Sequence, residues 1–236
     1  MGTMRRVVAA LFLFGISFGY VEAAVVVYLR AIYQPIRVRL NPDLGPNDLF
    51  PLITPQQLAA TGPDNTRRLA IEIVREAATM VMLASIALAV ARNLHAWFAA
   101  FAVVFGIWDI AFYAFLRVMI HWPQSLATWD ILFLIPLPWV GPVWSPVVVA
   151  LSMIVCGLIA LQRRVRARLR DAAIILAGAA IIIVAFVWDF RNTGSGGMPN
   201  PFNWPLFLAG ELVGLIGFAS ALTAPRYPES RKEPGS

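Results

Sequence analysis

Apolar residues gather into blocks separated by short polar or proline-bearing segments, and each block approaches the roughly 20 residues an α-helix needs to cross a bilayer. Six blocks predict six transmembrane helices, over residues 7–29, 69–91, 94–120, 145–162, 172–188 and 204–222. The first block could imitate a signal peptide with cleavage near Val21-Glu22-Ala23. Its apolar run continues through Ala24 to Leu29, which makes it an uncleaved span. Residues 1–224 are therefore expected to form one all-α membrane bundle, and the polar, proline-bearing 225–236 a disordered cytoplasmic tail.

Two stretches do not fit the spanning pattern. Residues 30–66 are rich in Pro, Asp and Asn and read as an extramembrane loop. Within it Thr54-Pro55 followed by Gly62 has the cap, first-turn proline and stop of one short helix. Residues 124–144 begin with an apolar run too short to cross, and Pro136, Pro138 and Pro142 then interrupt it. A short re-entrant or interfacial helix at about 126–135 is the expectation there.

Composition agrees with the pattern. The chain is 59% hydrophobic and 14% charged with a mean hydropathy of +0.72, far from soluble averages. Its net charge of +6 comes from arginines near helix ends rather than from a basic soluble face, so no nucleic-acid partner is implied. The cluster Arg163, Arg164, Arg166, Arg168 and Arg170 is placed in the cytoplasm by the positive-inside rule. With six spans, both termini then lie there too, as expected in a bacterial inner membrane. The conflicting Arg30, Arg37, Arg39, Arg67 and Arg68 fall on the outer side. Cys156 is alone in an apolar run, which rules out a disulfide framework and a cysteine metal cluster.

Ionisable residues inside spans are expensive and are functional candidates by default. The second span carries Glu72, Arg75 and Glu76, with the two glutamates four apart on one helical face. The third carries Asp109, Tyr113 and Arg117 at i, i+4 and i+8, a single polar stripe. Glu22 follows Gly15 and Gly19, a small-residue face suited to close helix contact, and Glu211 lies in the last span. At about 1.5 Å per residue, Glu22 and Glu76 come out roughly 12 Å below the outer boundary, Glu211 roughly 10 Å, Asp109 roughly 18 Å and Glu72 about 6 Å. Asp130, Asp189 and His121 belong to the outer rim. The inner half of every span lacks acids.

Convergent carboxylates in low dielectric repel, so they hold protons or recruit a cation. Glu22, Glu72, Glu76, Asp109 and Glu211 are accordingly candidate ligands of one or two divalent metals, in a general likeness to carboxylate-bridged sites in helical bundles. The Glu-x-x-His pair of such sites is missing. Oxygen ligands point to manganese, iron, magnesium or calcium rather than zinc or copper. Arg75, Arg117 and Tyr113 are candidate catalytic residues, the arginines as holders of an anionic headgroup. His95 and His121 lie at opposite ends of the third span, roughly 39 Å apart, so no bis-histidine haem is expected from this chain alone. No lysine lies in a span, and no protease, hydrolase-elbow or phosphate-loop motif is present.

Trp122, Trp129, Trp139, Trp144, Trp188 and Trp204 fall near the outer boundary, as an aromatic belt or as walls of a lipid or quinone pocket with 194–201 as its lid. Three functions are carried forward: an outer-leaflet enzyme acting on a lipid-soluble or periplasmic substrate, a proton- or cation-coupled transporter, and a non-catalytic subunit held to other membrane subunits. Transport ranks lower, because the inner half offers no polar route beyond Ser85, Ser152 and Ser220.

Overall fold

The computed structural model describes residues 2–45, 48–163 and 165–223. The tail expected at 225–236 lies outside the described residues. In chain order the elements are α1 (Gly2–Leu40), α2 (Pro55–Ala60), α3 (Pro63–Val90), α4 (Leu94–Ile120), β1 (Trp129–Phe133), β2 (Trp139–Pro142), α5 (Trp144–Arg163), α6 (Leu169–Val187), α7 (Phe190–Gly194) and α8 (Trp204–Thr223). Among the described residues, α1, α3, α4, α5, α6 and α8 are the six helices long and apolar enough to cross a membrane. The chain is a multi-pass membrane protein of the all-α class.

Two expectations are corrected. Residues 30–40 are not loop: α1 runs on to Leu40, with Pro35 inside it. Proline removes one backbone donor but not the helix when the flanking residues favour it, and the actual stop is Asn41 before Pro42, where the residue preceding proline leaves the helical region. At about 1.5 Å per residue α1 is far longer than a bilayer core. Its last turns are tied down by Arg37, which donates to the carbonyl of Leu49 at 3.1 Å and to that of Asp48.

The second correction concerns 126–135, which holds no half-helix but β1, the first strand of a β-hairpin that β2 completes. β1 and β2 pair antiparallel with Asp130 opposite Gly141 and Ile131 opposite Val140, and the register is irregular between Ile131 and Phe133. Trp129, Ile131 and Phe133 suit a pleated, half-buried surface better than a helix face, and Pro136 and Pro138 in the connection cannot donate to a ladder or continue a helix. Non-helical backbone is tolerated at membrane depth only inside protein. Asp130, Val140 and Gly141 are buried accordingly.

The short helix expected from Thr54 is present as α2. Thr54 Oγ1 accepts from Gln57 N at 3.2 Å, Gln57 Oε1 accepts from Thr54 N at 2.8 Å, and Pro55 occupies the first turn.

Close helix contacts follow the small residues. A Cβ added at Gly19 would stand 2.8 Å from Ala111 Cβ and 2.9 Å from the carbonyl oxygen of Trp108, which locks α1 onto α4. A Cβ at Gly178 would stand 2.5 Å from Gly214 N, so α6 and α8 meet backbone to backbone. The bundle thus falls into two parts. α1, α3 and α5 pack around α4, whereas α6 packs chiefly on α8 and reaches the rest mainly through β2 and a modest α5–α8 contact. Phe186 and Phe207 of that pair share a core with Leu132 and Trp139 of the hairpin, so the hairpin is the wedge between the two halves.

Candidate functional site

A cavity of about 300 Å³ lies between α1, α3, α4 and the hairpin, beneath a roof of Leu49, Leu52, Ile53 and Leu58. Glu22, Glu72, Arg75, Glu76, Asp109, Tyr113 and Asp130 all line it. Four separate stretches of sequence deliver them, and apolar side chains including Val26, Leu69, Phe112 and Phe133 fill much of the remaining wall.

On the α1–α3 side the charges are paired. Arg75 Nε donates to Glu72 Oε2 at 2.8 Å, and its terminal nitrogens pair with Glu22 and Glu72. Thr79 donates its hydroxyl to Glu22 Oε1 at 2.8 Å. This clamp bridges α1 and α3, which otherwise barely touch. A guanidinium fork between two carboxylates, out of bulk water, is a geometry in which a charge pair offsets its own desolvation. Arg75 is therefore a charge holder for Glu22 and Glu72, not a cation open to a headgroup.

On the α4 side the polar groups are less satisfied. Asp109 is 9% exposed, and its Oδ2 is buried with no hydrogen-bond partner. One helical turn on, Tyr113 donates its hydroxyl to Asp130 Oδ2 at 2.8 Å. Asp130 is 5% exposed. Burial pushes its carboxyl up to about 6, although Arg30, the Tyr113 hydroxyl and the Ile131 backbone favour the charged form. Glu76 Oε2 accepts from Leu134 N at 2.8 Å, which holds the hairpin against α3.

Four expected residues lie elsewhere. The stripe on α4 breaks at Arg117, which is exposed and donates to the carbonyls of His121 at 2.7 Å and Pro123 at 3.2 Å. His121 is exposed and ends α4 in a left-handed conformation, φ 54°. Glu211 is buried in α8, outside the cavity wall, with an unpartnered Oε1. Asp189 accepts from Asn192 Nδ2, Asn200 N and Asn200 Nδ2 at 2.7–3.0 Å. Burial opposes its charge, yet those donors hold its carboxyl below the ordinary range. They also tie down the 189–200 segment, and none of residues 194–201 lines the cavity. An indole-walled pocket is not formed either: of the tryptophans, the wall includes Trp108, while Trp144, Trp188 and Trp204 are exposed as a belt requires.

Arg30, expected only as an outer-side arginine, and Tyr33 also belong to the site. Both line the cavity, and Arg30 Nε, Arg30 Nη1 and the Tyr33 hydroxyl are buried without partners among the described residues. The signal was available: Glu22, Val26, Arg30, Tyr33 and Arg37 recur every three or four residues and form one helical stripe once α1 is extended past Leu29.

Among the described residues, no three side chains of His, Cys, Asp or Glu stand close enough to share one metal ion. With Glu22 and Glu72 spent on Arg75 and Glu211 elsewhere, the donors do not fit a preassembled metal centre. Glu76, Asp109 and Asp130 are the cavity carboxylates outside the arginine clamp. A buried carboxyl with a free oxygen on a cavity, one turn from a Tyr-Asp pair, can take a proton from a bound group and return it.

No family model matches this chain, and no curated protein or solved structure matches it.

Proposed function

We propose that this protein is a membrane-embedded enzyme performing acid–base chemistry on a lipid-soluble substrate at the outer end of the bundle. The observation that carries the reading is Asp109 Oδ2, buried on a cavity wall with no partner of its own. A carboxyl that only held helices together would spend both oxygens on neighbours, since an unmet buried acceptor costs about 1–3 kcal/mol. Asp109 exchanges the proton, and the Tyr113–Asp130 pair supplies or receives it one turn away. Glu76 holds the hairpin in register over the site, and the Glu22–Arg75–Glu72 clamp ties α1 to α3 and offsets one of its two carboxylate charges. Lipids and quinones are the substrate classes suited to an apolar wall in this position, and a bacterial inner membrane with both termini cytoplasmic is the setting the arginine distribution favours.

The test compares lipid and quinone extracts, by mass spectrometry, from source cells lacking the chain and complemented with wild type or Asp109→Asn. A species converted only in the wild-type strain is the expected result. Identical extracts from all strains overturn the reading. Elemental analysis of the same purified proteins addresses a divalent-metal version: a metal near one per chain, lost in Glu76→Ala and Asp109→Ala, would transfer the chemistry from the bare carboxyls to an ion.

A further inference from the structure

The proposed chemistry leaves the outer end of the cavity unassigned. There two lining side chains, Arg30 and Tyr33, carry three buried polar atoms without a partner among the described residues. Arg30 carries Nε and Nη1, both buried and unpartnered, and its guanidinium carbon sits over the Trp122 ring, 3.9 Å from the centroid. Trp122 is 1% exposed, so the platform is fixed. Tyr33, one turn along α1, adds a buried hydroxyl without a partner. Among the described residues no carboxylate stands within 4.0 Å of Arg30; Asp130, whose charged form Arg30 favours, accepts from Tyr113. A planar fork of donors matches the oxygens of a carboxylate or a phosphate, and the Tyr33 hydroxyl belongs to the same cavity wall. Below it the wall turns apolar through Val26 and Leu29 toward Glu22, eight residues and about 12 Å down the helix axis.

We infer that Arg30 and Tyr33 form an oxyanion subsite that holds the carboxylate or phosphate head of an amphiphile, with its apolar part running down the α1 face of the cavity toward Asp109. The inference rests on the acid–base reading for what happens at Asp109 and names the substrate class for it: an anionic single-chain or diacyl amphiphile rather than a neutral quinone. Arg30 lies near the end of the apolar block, at the depth of lipid headgroups, so such a molecule reaches the cavity already in the correct orientation.

The experiment measures the unfolding midpoint of the purified full chain in a neutral maltoside, with 1-oleoyl lysophosphatidate, oleate, monoolein or inorganic phosphate added. The two anionic amphiphiles should raise the wild-type midpoint by roughly 5 °C at saturation, and monoolein should not. Arg30→Gln should lose the preference, weakening lysophosphatidate about tenfold or more. Tyr33→Phe, which keeps the ring, should weaken it less, Arg30→Lys should recover part of it, and the exposed Arg39→Gln should leave it intact. Equal shifts from monoolein, or a full preference in Arg30→Gln and Tyr33→Phe, overturn the subsite. A shift from inorganic phosphate as large as that from lysophosphatidate overturns the amphiphile and leaves a site for aqueous anions. Asp109→Asn separates the two readings. A preserved preference with unchanged lipid extracts sinks the chemistry and keeps the subsite, whereas wild type without a preference but with lipid turnover does the reverse.

Discussion

Tyr113 donates its hydroxyl hydrogen to Asp130 at 2.8 Å, and that bond joins α4 to the hairpin across the cavity wall. It links a membrane-spanning helix to a segment that crosses nothing. Burial pushes the Asp130 carboxyl up to about 6. A carboxyl raised above its unfolded value adds stability that is present below about pH 4 and is lost as pH rises through about 6. The wild-type unfolding midpoint should therefore fall between pH 5 and pH 7.5 more steeply than that of Asp130→Asn. Parallel midpoint curves for the two proteins would contradict this assignment.

Asp109→Asn should leave the fold as stable as wild type or more so, by about 1 kcal/mol, because an unpartnered buried carboxylate costs more than an amide. The same change should remove lipid conversion. Thermal unfolding beside the mass-spectrometric extract comparison checks both halves, and a destabilised Asp109→Asn would show that the carboxyl is structural.

Arg75→Leu strands Glu22, whose side chain is 7% exposed, and Glu72, at 13%. Removing one partner of a buried pair costs about 3–5 kcal/mol. The double variant Arg75→Leu with Glu22→Leu should recover part of that loss, and a double-mutant cycle on unfolding midpoints measures how much. Simple additivity of the two single changes would deny the α1–α3 clamp.

Gly19→Val should be among the most damaging changes that touch no polar group. Its side chain would meet the α4 backbone at 2.9–3.0 Å, and overpacking of this kind costs about 1–3 kcal/mol or more. Gly194→Ala meets nothing within 4 Å and should be neutral. Folded yield by size-exclusion chromatography distinguishes the pair.

The spans were legible because a bilayer imposes length and hydropathy on any helix that crosses it, and Thr54, Pro55 and Gln57 announced α2 through capping chemistry. The hairpin was not. Trp129 to Phe133 carries no period that separates a buried strand from a short buried helix, and the partner strand at Trp139 is hidden among prolines. The cavity was half legible. Depth arithmetic placed Glu22, Glu72, Glu76 and Asp109 in the outer half of the bilayer, but depth along a helix says nothing about azimuth, so Glu211 could not be told apart from them. Arg117 was lost for a different reason: a long side chain at a helix end reaches the nearest free carbonyls. Arg30 and Tyr33 were hidden by an early end given to α1.

Every residue that walls the cavity precedes Ile135. On the ribosome the whole pocket is therefore translated before α5, α6 and α8 exist to brace it. For that interval the nascent membrane segment must keep its own charges quiet, and the order of the chain provides for this. Glu72 is followed within a single turn by Arg75, and Glu22 has already been made, so the clamp can close while the hairpin and its buttress are still unborn.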